Sequence, residues 1–411
     1  MLLLTVHDER RDQSSNHLCA DLPVKWHHNY LLPMRPHAPK LLFFVTVDWF
    51  FCSHFIERAK AARRAGYNVV VLTRVDQHRS VIEEAGLRLI PLTIDRRSLN
   101  PLEAFKTLVQ LVHVFRRERP DVLHQIALKP ILLGGFAARL TGIKRVVNAV
   151  VGGGYVFTST SPLMRAIRPL MRLGLKFLLN PPGSCVVFEN QDDLSSFVRS
   201  HQVRAEAAVL IRGAGVDADL FQPQPVRRTT PLVVVTARLL WDKGLGEFVA
   251  AARLLQAQGI KARFALVGDL DPDNRASIDP AVLDEWKDEG VVELWGFRRD
   301  MPQVLGEADI VCLPSYREGL PKSLLEAMAA GLPCVTTDVP GCREAVRNGE
   351  NGWLVPPRDP QALARALKLL IENPDLRYRM GKRGRDMVLT EFASPIICQQ
   401  TLQVYEEMLA S

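Results

Sequence analysis

Twice along the chain, short aliphatic runs alternate with amphipathic stretches, and that alternation constrains the fold more than any other feature. "KLLFFVTV" at 40–47 precedes the helix-period "SHFIERAKAARRAG" and then "YNVVVLTR". "GLRLIPL", "PLEAFKTLVQLVHVFRRERP", "DVLHQIA", a helix from about Ile131 to Leu140 and "RVVNAVV" follow. After the polar, Pro-containing "DADLFQPQPVRRTTP" at 217–231, a second series runs "LVVVTARL", "GLGEFVAAARLLQAQG", "ARFALVG", "VVELWG", "DIVCLPS", "PKSLLEAMAAG", "PCVTT" and "DPQALARALKLLIEN". Strands separated by helix-length segments make β-α-β units, so each series predicts a parallel, doubly wound sheet. A chain of 411 residues also exceeds one ordinary hydrophobic core. The reading is an α/β protein of two domains, 40–212 and 213–385, with a C-terminal helix at 386–411 packing back toward the first domain. Residues 1–39 lack periodicity and read as a disordered or mis-called extension, with Met34 an alternative start.

Composition narrows the class. With 47% hydrophobic and 24% charged residues the chain is neither disordered nor membrane-spanning, and no apolar run approaches transmembrane length. Cys19, Cys52, Cys185, Cys312, Cys334, Cys342 and Cys398 show no metal-ligand spacing and read as reduced thiols. "MLLLTV" is too short for a signal-peptide core, so a cytoplasmic location is expected. Residues 40–215 carry 25 Lys+Arg against 13 Asp+Glu, net +12, while the whole chain is +7; the remainder is therefore net acidic. The first domain is the one that faces something anionic.

The chemistry concentrates in "DIVCLPSYREGLPKSLLEAMAAGLP". A strand ending at Ser315 leads through Glu318 and Gly319 to a helix starting near Pro321. Glu318 thus sits beside a helix N-terminus, a natural anion site, and Glu326 lies nearly two turns inside, able to reach a ligand's hydroxyls. An isolated glutamate pair is ordinarily a surface feature. Here a second cluster, "VVVTARLLWDKGLGEF", places Arg238 and Lys243 after a strand and before a Gly-flanked helix start, cations suited to a diphosphate.

With those motifs in view, the sequence resembles the retaining family 4 glycosyltransferases of the GT-B fold. The matching segments are "ARLLWDKGLGEFVAA", "LVGDLDP" and the stretch from "VVELWGFRRD" to "PPRDPQALA" in the second domain, and "VDWFFCSHFIERAKAARRAGYNVVVLTR", "KPILLGGFAARLTG" and "VVGGGYVF" in the first. The resemblance implies two Rossmann-like doubly wound domains facing a cleft, the first binding an acceptor and the second a nucleotide sugar. It implies that Glu326 holds the ribose hydroxyls, Glu318 contacts the sugar, and Arg238 and Lys243 neutralise the diphosphate. Gly296 and Phe297 would meet the nucleobase; Gly319, Leu320 and Lys322 complete the donor loop. His124 is the remaining catalytic candidate. Asp48, Ser53, His54, Lys129, Gly153 and Gly154 are the acceptor-side candidates.

The subgroup it is most similar to builds bacterial surface or exopolysaccharide glycans, implying a polyprenyl-diphosphate-linked acceptor. The resemblance implies no metal and no cofactor, the donor being a nucleotide sugar, UDP-linked in preference to GDP-linked. Gly213 and Gly215 fall near the expected hinge.

Three departures from the family pattern matter. The donor loop reads Glu-Gly-Leu-Pro-Lys where relatives have Glu-Gly-Phe-Gly, so Pro321 removes a backbone donor and Lys322 adds a cation. Ile126 stands where many relatives have the second histidine of His-x-His. The first loop is "VDWFFCSH" rather than glycine-rich.

"SPLMRAIRPLMRLGLKFLLNPPG" spaces Arg165, Arg168, Arg172 and Lys176 at three and four among aliphatics, the pattern of a basic helix lying on an anionic bilayer. That predicts a peripheral enzyme at the inner face of the cytoplasmic membrane. The alternatives are a soluble acceptor or another GT-B activity such as an epimerase, and an inactive scaffold of a glycan-assembly complex. Nucleic acid is excluded, because the basic stretch interleaves with aliphatics rather than stacking aromatics.

Overall fold

A computed structural model describes residues 37–95, 98, 100–152, 162–224, 229–272, 274 and 276–410. Residues 38–411 contain two wholly parallel sheets. The first has seven strands: β1 Lys40–Val47, β2 Asn68–Arg74, β3 Arg88–Pro91, β4 Val122–Ile126, β5 Val146–Val150, β6 Ser184–Phe188 and β7 Ala208–Leu210, in the order β3-β2-β1-β4-β5-β6-β7. The second has six: β8 Leu232–Thr236, β9 Arg263–Val267, β10 Glu293–Gly296, β11 Ile310–Leu313, β12 Cys334–Thr337 and β13 Gly352–Val355, in the order β10-β9-β8-β11-β12-β13. Each sheet reverses its strand order at its first strand, beside β4 in one and β11 in the other, and such a switch point opens a crevice at the carboxyl ends of the strands.

The strands read as unbroken apolar runs because helices cover both faces. In β1, Leu41, Phe43 and Val45 pack into one cluster and Leu42 and Phe44 into the opposite one. In the second sheet Val234 and Val233 divide in the same way. Fully burying such side chains contributes about 1.5–3 kcal/mol each.

Several elements differ from expectation. "VDWFFCSH" is not a loop: Asp48–His54 is a helix that breaks at Phe55 before the helix Ile56–Arg64. β11 ends at Leu313, earlier than Ser315, and the site helix is Lys322–Ala329 with Pro321 at its N-cap. β6, β7 and β13 were not singled out by pattern, being short and bounded by turns.

The chain crosses between the domains twice, side by side. Val216 N–H donates to Phe392 O at 3.0 Å and Ser394 N–H to Val216 O at 2.9 Å. Gly215 sits at φ +76°, and a Cβ there would press on Ser394 Cα at 3.0 Å, so this crossing requires glycine. The return lies at 392–394 rather than 386, since Met387, Val388 and Phe392 still belong to the second core. The final helix, Ser394–Ala410, buries Ile397, Val404, Tyr405 and Met408 in the first domain's core with Leu41 and Phe43. Among the described residues no helix is long and apolar enough to cross a membrane.

Candidate active site

The carboxyl ends of β8 and β11 carry the chemistry. Past β8, Arg238 is followed by a single turn, Trp241–Lys243, and the helix Leu245–Ala257. Gly244 joins the two at φ +69°, where any Cβ would collide with Pro314 O, so the two loops touch backbone to backbone. Past β11, Tyr316 N–H donates to Asp242 O at 2.9 Å, Ser315 Oγ to the same carbonyl at 3.1 Å, and Tyr316 OH to Glu247 at 2.8 Å. These bonds register the glutamate loop against the cation loop.

Lys243 Nζ and Glu318 Oε1 are thereby brought to 2.5 Å. Arg238 Nη1 lies 2.5 Å from Asp271 Oδ2, and its guanidinium is 5.8 Å from the Trp49 ring of the first domain. Glu326 is largely shielded from solvent, which raises its pKa, and Lys322 at 3.5 Å opposes that rise. Lys322 Nζ also donates to Ser53 O at 3.1 Å, tying the glutamate loop to the first domain. Gly296 has φ +66° and Phe297 is largely exposed at the end of β10. Arg238, Lys243, Glu318, Lys322 and Glu326 thus all follow the carboxyl ends of β8 and β11, in three ion pairs with Asp271 as the sixth member. Gly319 belongs with them through its backbone: its carbonyl accepts from Asn190 of the first domain at 2.8 Å. Among the described residues no group of three His, Cys, Asp or Glu side chains could hold a metal ion.

Other expected site residues are placed elsewhere by packing. His124 is 1% exposed, ringed by Phe43, Phe55 and Tyr405, with Nδ1 2.6 Å from Tyr405 OH. Burial, with the nearby charge of Arg58, lowers its pKa to about 3, so it is a neutral core residue and cannot reach a substrate. Asp48 is fully buried and accepts the backbone N–H groups of Trp49, Asp76 and His78 at 2.7, 2.7 and 2.9 Å, an anchor for the 75–78 turn rather than an acceptor contact. Leu320 packs its side chain into the second core, with Gly213 against it, so it offers the crevice no side chain.

Lys129 caps the carbonyls of Asp95 and Ser98 at 2.5 and 2.8 Å, and burial lowers its pKa. His54 stacks on Phe50 with centroids 4.3 Å apart; burial and the charges of Lys322, Arg58 and Arg238 lower its pKa to about 3, placing a neutral imidazole at the domain seam. Gly153 and Gly154 lie outside the described residues, as does the side chain of Arg165. Arg168, Arg172 and Lys176 belong to the helix Pro162–Leu179, whose Leu170, Leu173 and Phe177 are exposed.

Sequence reasoning missed Glu189, Asn190 and Asp193, which follow β6 and meet the glutamate loop across the seam. Asp193 Oδ1 lies 2.5 Å from Arg317 Nη2. The one available signal was Asn-x-x-Asp: Asn190 Oδ1 caps the helix Gln191–Arg199 by accepting from Asp193 N–H at 2.8 Å.

Two parallel doubly wound domains of this topology make up a GT-B fold. Residues 217–387 match the family model of glycosyl transferases group 1 and residues 40–180 that of glycosyl transferase 4-like proteins, and the chain belongs to this glycosyltransferase family. It is 29% identical over 368 residues to the N,N'-diacetylbacillosaminyl-diphospho-undecaprenol alpha-1,3-N-acetylgalactosaminyltransferase of Campylobacter jejuni, covering 85% of this chain and 94% of that protein. It is 26% identical over 313 residues to the UDP-Gal:alpha-D-GlcNAc-diphosphoundecaprenol alpha-1,3-galactosyltransferase of Escherichia coli, covering 72% of this chain and 78% of that protein. Among solved structures, Anabaena HepE in complex with UDP superposes with TM-score 0.73 at 21% identity, covering 90% of this chain and all of the other. Sucrose-phosphate synthase from Thermosynechococcus elongatus superposes with TM-score 0.75 at 22% identity, covering 90% and 99%. These likenesses support the fold, and the family makes the protein an enzyme, a glycosyltransferase.

Proposed function

We propose that the protein moves a sugar from a UDP-sugar to a hydroxyl of a polyprenyl-diphosphate-linked glycan, with retention at the anomeric carbon. The observation that carries this reading is the pair of cations: Arg238 and Lys243 each pair with a carboxylate that a diphosphate can replace, and Glu326 follows on the helix Lys322–Ala329. A diphosphate arriving there exchanges Asp271 and Glu318 for phosphate oxygens, and its charge spreads over both cations as the anomeric bond breaks. Glu318, released from Lys243, becomes free to accept from sugar hydroxyls. Glu326, with Lys322 holding it toward the charged form, accepts from the paired ribose hydroxyls. The departing phosphate takes the proton of the acceptor hydroxyl, so no protein base is needed, in keeping with the interior position of His124.

The relatives named for diphosphoundecaprenol-linked substrates support the acceptor class, and the UDP complex of HepE supports the donor. A membrane-facing acceptor suits a further feature of the first domain. The helices Pro101–Glu118, Leu128–Thr141 and Pro162–Leu179 pack side by side and expose Leu102, Phe105, Phe136, Leu140, Leu173 and Phe177. Arg139 bridges two of them, lying 3.7 Å over the Phe177 ring. With Arg168, Arg172 and Lys176 nearby, this face suits the interface of an anionic bilayer, each cation contributing about 1 kcal/mol.

The test is transfer: purified enzyme, UDP-sugars and a diphosphoundecaprenol-linked monosaccharide, with the product's anomeric configuration read by NMR. An α-linked product from an α-UDP-sugar is expected. An inverted product, or turnover only with a soluble acceptor, refutes the corresponding part of the reading.

A further inference from the structure

The Glu318 loop is held from outside its own domain. Residues on both sides of Glu318 are gripped by the segment that follows β6. Asp193 pairs with Arg317, and Asn190 Nδ2 donates to Gly319 O at 2.8 Å. The Glu189 carboxyl lies against the 319–320 backbone, where the Leu320 N–H favours its charged form. The contact is close enough that a Cβ at position 319 would collide with Glu189 Oε2 and come within 3.0 Å of Gly152 N. Beside these lie Gln191 N–H donating to Glu344 at 3.0 Å and Arg212 pairing with Glu344 at 2.6 Å.

Behind Glu189 stands Arg58, fully buried, which donates to the carbonyl of the hinge residue Gly213 and packs over the Phe55 ring. The side chain of Leu320 in turn rests on Gly213. The hinge thus touches Arg58 on one side and Leu320 of the Glu318 loop on the other, and the Arg58 charge acts on Glu189.

We infer that the segment Glu189–Asp193 is an interdomain latch that sets the position of Glu318, with Glu189 as its positioning residue. Glu189 acts through the 319–320 backbone it packs against. This goes beyond the donor and acceptor roles above, yet rests on Glu318 acting there.

The latch carries a proton. Burial raises the Glu189 carboxyl to about 7, against the lowering effect of Arg58 and with Asp193 and Glu318 adding to the rise. A carboxyl whose value is higher in the closed arrangement than when exposed favours closure at low pH, and that preference is lost as pH climbs through 7. The protonated carboxyl keeps its packing against the 319–320 backbone and no longer repels Glu318. Opening the seam releases the proton to water.

Amide hydrogen exchange over residues 316–321 tests this in the full chain without any donor, at pH 6 and pH 8, after correction for intrinsic rates. In the wild type, protection should fall about tenfold over that range, the linkage for one proton. Glu189→Gln keeps the acceptor and cannot titrate, so its protection should be independent of pH and match the wild type at pH 6. Glu189→Ala should lose protection at both. Where turnover is measurable, Glu189→Ala should lower kcat with donor KM little changed, and Glu189→Gln should restore it.

A wild-type slope that persists in Glu189→Gln, or protection unaltered in Glu189→Ala, overturns the latch. Because exchange needs no substrate, a failure of the donor assignment leaves this outcome separately readable.

Discussion

His124→Asn separates a core histidine from a catalytic one. The imidazole is buried against Phe43, Phe55 and Tyr405, and its Nε2 finds no hydrogen-bond partner. Burial lowers its pKa to about 3, against about 6.5 in an unfolded chain. The folded state therefore binds fewer protons than the unfolded state between those values, and stability falls as pH drops through 6.5 toward 3. From pH 7.5 to 5.5 a single such group costs about 1.4 kcal/mol, and any folded value below about 4.5 gives nearly the same cost. Glu189 changes stability in the opposite sense over the same range, so the wild-type curve alone is not diagnostic. The difference between wild type and His124→Asn isolates the one group, to the extent that the sites are independent.

Urea unfolding at both pH values should show the wild type losing about 1.4 kcal/mol more than the variant. Turnover at pH 7.5 should remain within a few-fold of wild type. Parallel stability curves, or a folded variant with no activity, would refute the assignment of His124 to the core.

Gly319→Ala places a methyl against Glu189 and Gly152; it should lower kcat by tenfold or more at nearly unchanged melting temperature, read by UDP release beside calorimetry, and wild-type kcat would contradict it. Phe177→Glu with Leu173→Glu should abolish co-sedimentation with anionic vesicles while sparing UDP affinity; equal binding of wild type to zwitterionic vesicles, or no effect of salt, would count against the docking face. Lys322→Met removes the cation that opposes the raised pKa of Glu326, so UDP affinity should fall as pH drops below neutrality more steeply than in the wild type, a difference titration calorimetry at two pH values resolves.

The ion pairs that follow the second sheet's strands were legible because their parts are local. Arg238 and Lys243 flank one strand-to-helix turn and Glu318 and Glu326 another, and each turn is marked by Gly or Pro in the sequence. The parallel sheets were legible from unbroken aliphatic runs for the same reason. What stayed hidden depends on packing between distant segments. β4 is buried along its whole length, so alternation along "VLHQI" carries no information on which face His124 takes. Only the helix Ser394–Ala410, whose Tyr405 meets His124, decides that.

Asp48 followed a strand, as a site residue would, yet its carboxylate is spent on the 76–78 backbone. Asn190 and Gly319 are 129 positions apart, and "FENQDD" looks like an ordinary helix cap until the second domain is set against it.

One nucleotide is expected to bind across Arg238, Lys243, Glu318 and Glu326. Titration calorimetry of UDP, GDP and ADP against wild type, Arg238→Ala and Glu326→Ala tests it directly. UDP should bind most tightly, and each substitution should weaken it by tenfold or more, with melting temperatures close to wild type. UDP affinity indifferent to both substitutions, or no nucleotide binding by the folded wild type, would contradict it.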